Sequence, residues 1–196
     1  MRGDDVIETF KRTGAILEGH FVLSSGLHSS QYLQSALVLQ HPSEASVLGR
    51  ALSMHFRGQA VETVVSPAIG GLIIGHEVAR ALGTRFIWTE RDSDGHMTLR
   101  RGFGVRRGEN VIVVEDVITT GGSTRETIET LEEAGACVIG AAAIIDRSAG
   151  RAELGIPLIA LAKLEVPSVA ASDCELCASG DIAIKPGSRK TVVGNE

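Results

Sequence analysis

The chain has 196 residues, enough to bury one sizeable core; 43% are hydrophobic and only 4% aromatic, so that core must be aliphatic. A formal charge of −5 argues against a general nucleic-acid binder, and no apolar run approaches the length of a membrane span. Met1 to Asp5 has no apolar stretch behind it that would make a signal peptide, and the three cysteines (Cys137, Cys174, Cys177) are an odd count, so a cytoplasmic protein is expected.

Asp4 can cap a first helix, with Val6, Ile7 and Phe10, then Ile16 and Leu17, on its apolar side and Gly19 at its end. His20 to Leu23 and Tyr32 to Leu39 read as short strands around the loop Ser24-Ser-Gly-Leu-His-Ser-Ser30. A second helix opens at His41-Pro42-Ser43 and runs to about Phe56. Regular alternation follows: strands over 61–66, 85–89, 110–116 and 137–146, with helices over 71–82 and 123–134. Apolar strands separated by helices indicate a mostly parallel sheet covered on both faces, an α/β fold. Right-handed crossovers then gather the carboxyl ends of the strands on one edge, where such folds hold their ligands. Residues 90–109 interrupt the alternation with four glycines and five arginines, and read as a hairpin or mobile flap. The tail beyond Asp173 is polar, and Lys185 to Lys190 reads as loosely ordered.

The most informative segment is Val111-Ile-Val-Val-Glu-Asp-Val-Ile-Thr-Thr-Gly-Gly-Ser-Thr124. A buried strand ends in two acids, Glu115 and Asp116, and empties into the hydroxyl-rich turn Thr119 to Ser123 before a helix. The first N–H groups of a helix have no partner within it and, with its dipole, favour a phosphate. Gly121 and Gly122 let the backbone come close, while Thr119, Thr120 and Ser123 add donors. The alternative is a plain strand-to-helix turn with Ser or Thr as its cap. Adjacent acids at a buried strand end need a partner. A sugar diol suits them, as does Mg²⁺ through water. A phosphate cradle beside two such acids describes a ribose 5-phosphate site.

This segment resembles the 5-phosphoribosyl-1-pyrophosphate (PRPP) motif of type I phosphoribosyltransferases, which has two acids followed by a Thr/Gly-rich loop. The resemblance implies that fold: a central, mostly parallel sheet flanked by helices, with a flap and a small N-terminal hood. It implies one domain over 1–196, with a base-binding hood at 1–40, a core at 60–165, the flap at 90–109 and a tail at 170–196. PRPP would be held by Glu115, Asp116, Val117, Ile118, Thr119, Thr120, Gly121, Gly122 and Ser123. The strand-to-helix loop Ser66-Pro-Ala-Ile-Gly-Gly71 corresponds to the family's pyrophosphate loop, through Ala68, Ile69, Gly70 and Gly71. Many members carry a lysine in this loop; here the residue is Gly70.

Among these enzymes the chain is most similar to the orotate phosphoribosyltransferases. His20 to Tyr32 resembles their S-G-x-x-S-x-x-Y region, so Ser24, Ser25 and Gly26 would face the pyrimidine, with Thr119 adjoining. Ile144-Ile-Asp-Arg147 matches their Asp-Arg, with Arg147 placed to grip the orotate carboxylate; a surface salt bridge from Asp146 to Arg147 or Arg151 is the alternative. Their flap reaches the neighbouring subunit's site, so a homodimer is implied. It normally carries lysines and a histidine. This chain has none of its four lysines there: Arg91 matches a family arginine, Asp92 replaces the usual lysine, and His96, Arg100 and Arg101 are candidates for the rest. The catalytic candidates are thus Arg91, His96, Arg100, Arg101 and Asp116. No direct protein-ligated metal is implied; Mg²⁺ would come with PRPP, through water near Glu115 and Asp116. The expected partners are PRPP and orotate, with no nucleic acid and no membrane. A transferase for uracil or a purine, or a PRPP sensor without turnover, stays open. Cys174-Glu-Leu-Cys177 is half a tetrahedral zinc site, without a second pair or a nearby histidine in the sequence; a dimer could supply another pair. Cys137 reads as core, and His55 and His76 as structural.

Overall fold

The structure, a computed structural model, describes residues 1–23 and 25–186. It divides into two units, Met1–Ala15 with Gln34–Glu165, and Ile16–Leu33 with Val166–Glu196.

The larger unit is built on a six-stranded sheet in the order β5-β4-β3-β6-β7-β8. Its strands are β3 (Thr63–Pro67), β4 (Arg85–Arg91), β5 (Met97–Leu99), β6 (Asn110–Ile118), β7 (Cys137–Asp146) and β8 (Leu158–Lys163). All neighbours are parallel except β4 and β5, which form a hairpin. The expected sheet is therefore present. Alternation along each strand directs Val65, Val111, Val113, Ala141 and Ala143 to one face, against Ile128 and Leu131 of α5 (Gly122–Glu133). The intervening Val64, Ile112, Val114, Ala142 and Ile144 are fully buried on the other face. There β3 and β6 meet α4 (Leu72–Leu82), while β7 and β8 meet α3 (Pro42–Ser53). The core is aliphatic, as the scarcity of aromatics requires.

Three boundaries differ from the sequence expectation. The first helix, α1 (Gly3–Arg12), stops at Gly14, whose φ of +67° ends it. Ile16 and Leu17 then belong to β1 (Ile16–Val22), because pairing with β2 (His28–Leu33) outweighs a continued helical pattern. Nor does Asp4 cap α1: Arg2 holds that position, and the Asp5 carboxylate accepts its backbone N–H at 2.9 Å. Residues expected to extend the second strand form a single turn, α2 (Ala36–Leu39). A further strand, β8, extends the sheet. Its Ala- and Leu-rich sequence carries little strand propensity, and pairing with β7 supplies what the sequence lacks.

The smaller unit redraws the expected hood. Residues 1–15 and 34–40 belong to the larger unit, while the β1–β2 hairpin is joined by the C-terminal segment. Val169 exchanges backbone hydrogen bonds with His28, at 2.8 and 2.9 Å. Ile184 lies along β1, accepting from Val22 at 2.9 Å and donating to His20 at 2.8 Å. Between them the chain forms one helical turn, α6 (Glu175–Ala178). The tail to Pro186 is thus ordered by pairing; residues 187–190 of the stretch expected to be loose lie outside the described residues. The expectation that no histidine completes the Cys174–Cys177 pair is corrected here: His20 and His28 lie beside both sulfurs. Pairing of β1 with β2 and with the tail joins residues about 150 apart in the chain, a proximity no local spacing can reveal.

Candidate active site

The parallel strands of the larger unit bring Pro67, Arg91, Ile118 and Asp146 to the ends of β3, β4, β6 and β7 on one edge. The predicted residues of the larger unit follow from those ends. After β6, Gly121 takes φ +78°, a conformation that strains any residue with a Cβ, and α5 starts at Gly122. No side chain caps α5 among the described residues. The alternative of a Ser or Thr cap is therefore not what is built. The hydroxyls of Thr119 and Ser123 are not used to cap α5, and the helix opens with its first N–H groups available to an anion. Thr120 Oγ1 makes only a long contact, 3.4 Å from the Gly122 nitrogen.

Glu115 and Asp116 are half-buried at the end of β6. Burial pushes Glu115 up to about 7, the Thr124 hydroxyl that donates to it works the other way, and the Asp116 charge adds to the rise. Burial raises Asp116 as well. Among the described residues, no cation contributes to either shift. Two carboxylates held this way suit a ligand that brings hydroxyl donors or a hard cation. The donor set fits Mg²⁺ reached through water.

The loop after β3 closes on the same acids. A Cβ on Gly70 would lie 2.7 Å from Asp116 Oδ1 and 3.0 Å from its Cγ, so only glycine lets this backbone approach the carboxylate. The lysine-free character of the loop thus has a steric reason at this position. Ile69 and Gly70 are exposed, and the peptide between Ala68 and Ile69 is cis. Gly71 is buried, where a Cβ would meet the Val114 carbonyl at 2.9 Å.

Arg147 follows β7, and its backbone N–H donates to the Ile118 carbonyl at 2.8 Å, which sets it one residue from the phosphate turn. Asp146 is buried, and its Oδ1 accepts the Ser148 N–H at 2.7 Å. It shapes the turn that presents Arg147 and is not part of a solvated surface bridge.

The arginine-rich segment behaves as two pieces. In the first, Asp92 Oδ1 accepts the N–H groups of Asp94 and His96, both at 2.9 Å, and closes the β4–β5 turn. The residue standing where the family has lysine is therefore a turn anchor. His96 and Arg100 are exposed. Arg91 donates to Glu126 at 2.7 Å, and Arg101 pairs with Glu90, which also accepts from Trp88 Nε1 at 2.7 Å. The second piece is packed down: Phe103 meets Trp88 edge-on at 4.6 Å, and Val105 joins the core. Arg106 donates to Glu62 at 2.6 Å, beside the start of β3. The expectation of one flap over 90–109 is corrected accordingly. Arg106 and Arg107 return to the opposite edge, separated from the site by the length of β6, about 25 Å at roughly 3.3 Å per residue.

The loop expected to face orotate belongs to the smaller unit. Ser25 and Gly26 form the turn between β1 and β2, with Gly26 at φ +81°; Ser24 lies outside the described residues. Sequence reading missed Thr124, which holds Glu115, and the close approach of Gly70 to Asp116. Thr124 carries a weak signal, as a buried hydroxyl one turn into α5; the Gly70 contact is decided by packing.

Comparison with known proteins identifies the family. Residues 35–163 match the phosphoribosyl transferase domain. An orotate phosphoribosyltransferase of Pelotomaculum thermopropionicum is 51% identical over 97% of this chain and 100% of its own length. One from Caldicellulosiruptor bescii is 50% identical, with the same coverage. The crystal structure of orotate phosphoribosyltransferase from Aeropyrum pernix superposes with a TM-score of 0.69 at 31% identity, over 81% of this chain and 93% of that one. The chain belongs to the orotate phosphoribosyltransferase family and has the type I phosphoribosyltransferase fold.

Proposed function

We propose that the protein transfers the 5-phosphoribosyl group of PRPP to orotate, giving orotidine 5′-monophosphate and pyrophosphate in pyrimidine (UMP) synthesis. The observation that carries the reading is the pair Glu115-Asp116, raised by burial, directly before the uncapped N-terminus of α5. That pairing suits a molecule with a phosphate at one end and a diol at the other.

In this reading the 5-phosphate takes the N–H groups of the Thr119–Ser123 turn and the start of α5. Glu115 and Asp116 accept from the ribose hydroxyls. Mg²⁺, linked through water to the same acids, would offset the charge of the departing pyrophosphate. The backbone of Ala68 to Gly71 faces that leaving group. Arg147 is assigned to the orotate carboxylate, and the family resemblance assigns Ser24, Ser25 and Gly26 to the same base. The C–N bond forms as the C–O bond to pyrophosphate breaks through an oxocarbenium-like state, so positioning and electrostatics supply most of the rate. His96, Arg100 and Arg101, exposed on the hairpin and the turn that follows it, are assigned to a second copy's site in a homodimer, with Arg91 at its base. No helix among the described residues is long and apolar enough to cross a membrane.

The test is pyrophosphate release from PRPP with orotate, uracil, adenine, guanine and hypoxanthine in turn. Turnover of orotate alone is expected. Turnover of a purine in its place would make the protein a salvage transferase, and PRPP binding without any turnover would make it a sensor.

A further inference from the structure

The smaller unit holds a cluster that the transfer reaction does not use. His20 Nε2 lies 2.8 Å from His28 Nδ1, 3.4 Å from Cys174 Sγ and 3.6 Å from Cys177 Sγ, and Cys177 Sγ lies 3.3 Å from His28 Nδ1. All four donor atoms fall within 4.8 Å of one another. A tetrahedral ion with Zn–N near 2.0 Å and Zn–S near 2.3 Å needs donor separations of roughly 3.3 to 3.8 Å. Three nitrogen–sulfur spacings already lie in that range, and the two nitrogens need to part by about half an ångström. Two thiols and two imidazoles select a borderline or soft ion over Mg²⁺ or Ca²⁺. His20, His28 and Cys174 are buried, which suits a closed site without a ligand position for substrate.

We propose that His20, His28, Cys174 and Cys177 bind one structural Zn²⁺ that fastens the β1–β2 hairpin to the C-terminal segment. Two further observations support it. His20 Nδ1 lies 3.1 Å from the Asp181 carbonyl, a contact that takes the proton on Nδ1 and leaves the Nε2 lone pair facing the sulfurs. The unit is also short of core: among its described residues only Phe21, Leu33 and Cys174 are buried apolar side chains, while Ile182 and Ile184 are exposed. A unit of this size normally needs a staple. The ion would sit where the tail crosses from β2, paired at Val169, to β1, paired at Ile184. It would also fix both flanks of the segment that carries Ser25 and Gly26, since His20 and His28 lie on either side of it in sequence.

Untagged protein expressed with zinc and dialysed in metal-free reducing buffer should carry about one zinc per chain by plasma mass spectrometry. Cys177→Ser and His28→Ala should lose most of it. Because such variants can fail to fold, the wild type is also stripped and titrated with Co²⁺. A thiolate-to-cobalt charge-transfer band with tetrahedral d–d absorption is expected, together with slowed reaction of two thiols with a disulfide reagent. Zinc-free wild type that binds no Co²⁺ would overturn the proposal. So would a peptide spanning Cys174 and Cys177 that is two hydrogens lighter, which marks a disulfide in place of the ion. The link to the base loop rests on the orotate reading and has its own readout. Zinc removal should raise KM for orotate several-fold and leave KM for PRPP unchanged, and unchanged values for both would overturn that link while metal content decides the site.

Discussion

In the proposed site, Glu115 couples the binding of PRPP to the release of a proton. The carboxyl of Glu115, held near 7, is protonated in the free enzyme over a range where an unfolded chain has already ionised it. The folded protein therefore loses stability as pH rises from about 4.5 to about 7, the direction opposite to a salt-bridged acid. A diol or Mg²⁺ favours the ionised form, so PRPP binding should expel a proton. Calorimetry at about pH 6 in buffers of different ionisation enthalpy should show release approaching one proton, and fewer above about pH 8. Glu115→Gln should abolish the difference. Asp116→Asn should lower kcat/KM for PRPP by roughly 10²-fold or more, since it removes an acceptor that acts on the reacting sugar; full activity in that variant would contradict the diol role. At Gly70 the prediction is steric: Gly70→Ala forces the added carbon against Asp116, and KM for PRPP should rise by about tenfold, with a near-native melting temperature because the loop is exposed.

At the scale of elements, the arginine-rich segment divides its labour between two ends of the sheet. Glu109 is 3% exposed. Burial works against its ionisation, but the Thr63 hydroxyl at 2.6 Å, the Arg106 N–H at 2.7 Å and Arg85 at 2.8 Å together hold it below the ordinary carboxylate range. This knot ties the starts of β3, β4 and β6 to the returning chain. Glu109→Gln should cost about 2 kcal/mol in chemical denaturation by weakening those bonds, and acid should erode the wild-type advantage as pH falls through the depressed pKa. The hairpin and the turn that follows it, by contrast, are the part proposed to act on ligand. Arg100→Ala should depress kcat by roughly 10-fold to 100-fold, whereas Arg106→Ala, on the far edge, should leave kcat within about twofold. Equal losses in both variants, measured by pyrophosphate release, would contradict the division. This division was not legible in the sequence. Five arginines within 90–109 look alike along the chain, and only the packing of Phe103 on Trp88 and of Arg106 on Glu62 separates them.

At the scale of the whole molecule, the homodimer proposal has a direct check. Mixing Arg100→Ala with Asp116→Asn protein after brief unfolding should recover activity, because a mixed dimer rebuilds one intact site from two chains. Recovery should fail if each chain completes its own site. The fold itself was largely legible. Val111 to Val114 and the run Cys137 to Asp146 announce buried strands, and Gly121 marks the start of the helix between them. The strand, turn and helix over Val111 to Thr124 were legible too, because they are contiguous in sequence. The N-terminal boundaries were less so. Ile16 and Leu17 continue a helical spacing from Phe10, and only pairing with β2 makes them strand.

The amino-acid sequence by itself determined the aliphatic α/β core, the acids Glu115 and Asp116, and the glycine- and hydroxyl-rich turn behind them. These rest on interactions between residues a few positions apart, where alternation and turn chemistry act directly on the chain. The tertiary structure decided which neighbours those residues meet. It set Gly70 against Asp116, turned Arg106 away from the site, and drew Val169 and Ile184 along the two strands of the N-terminal hairpin. It also placed His20 and His28 beside Cys174 and Cys177. Their approach depends on strand pairing across most of the chain, and local sequence carries no trace of a contact made only when the ends meet.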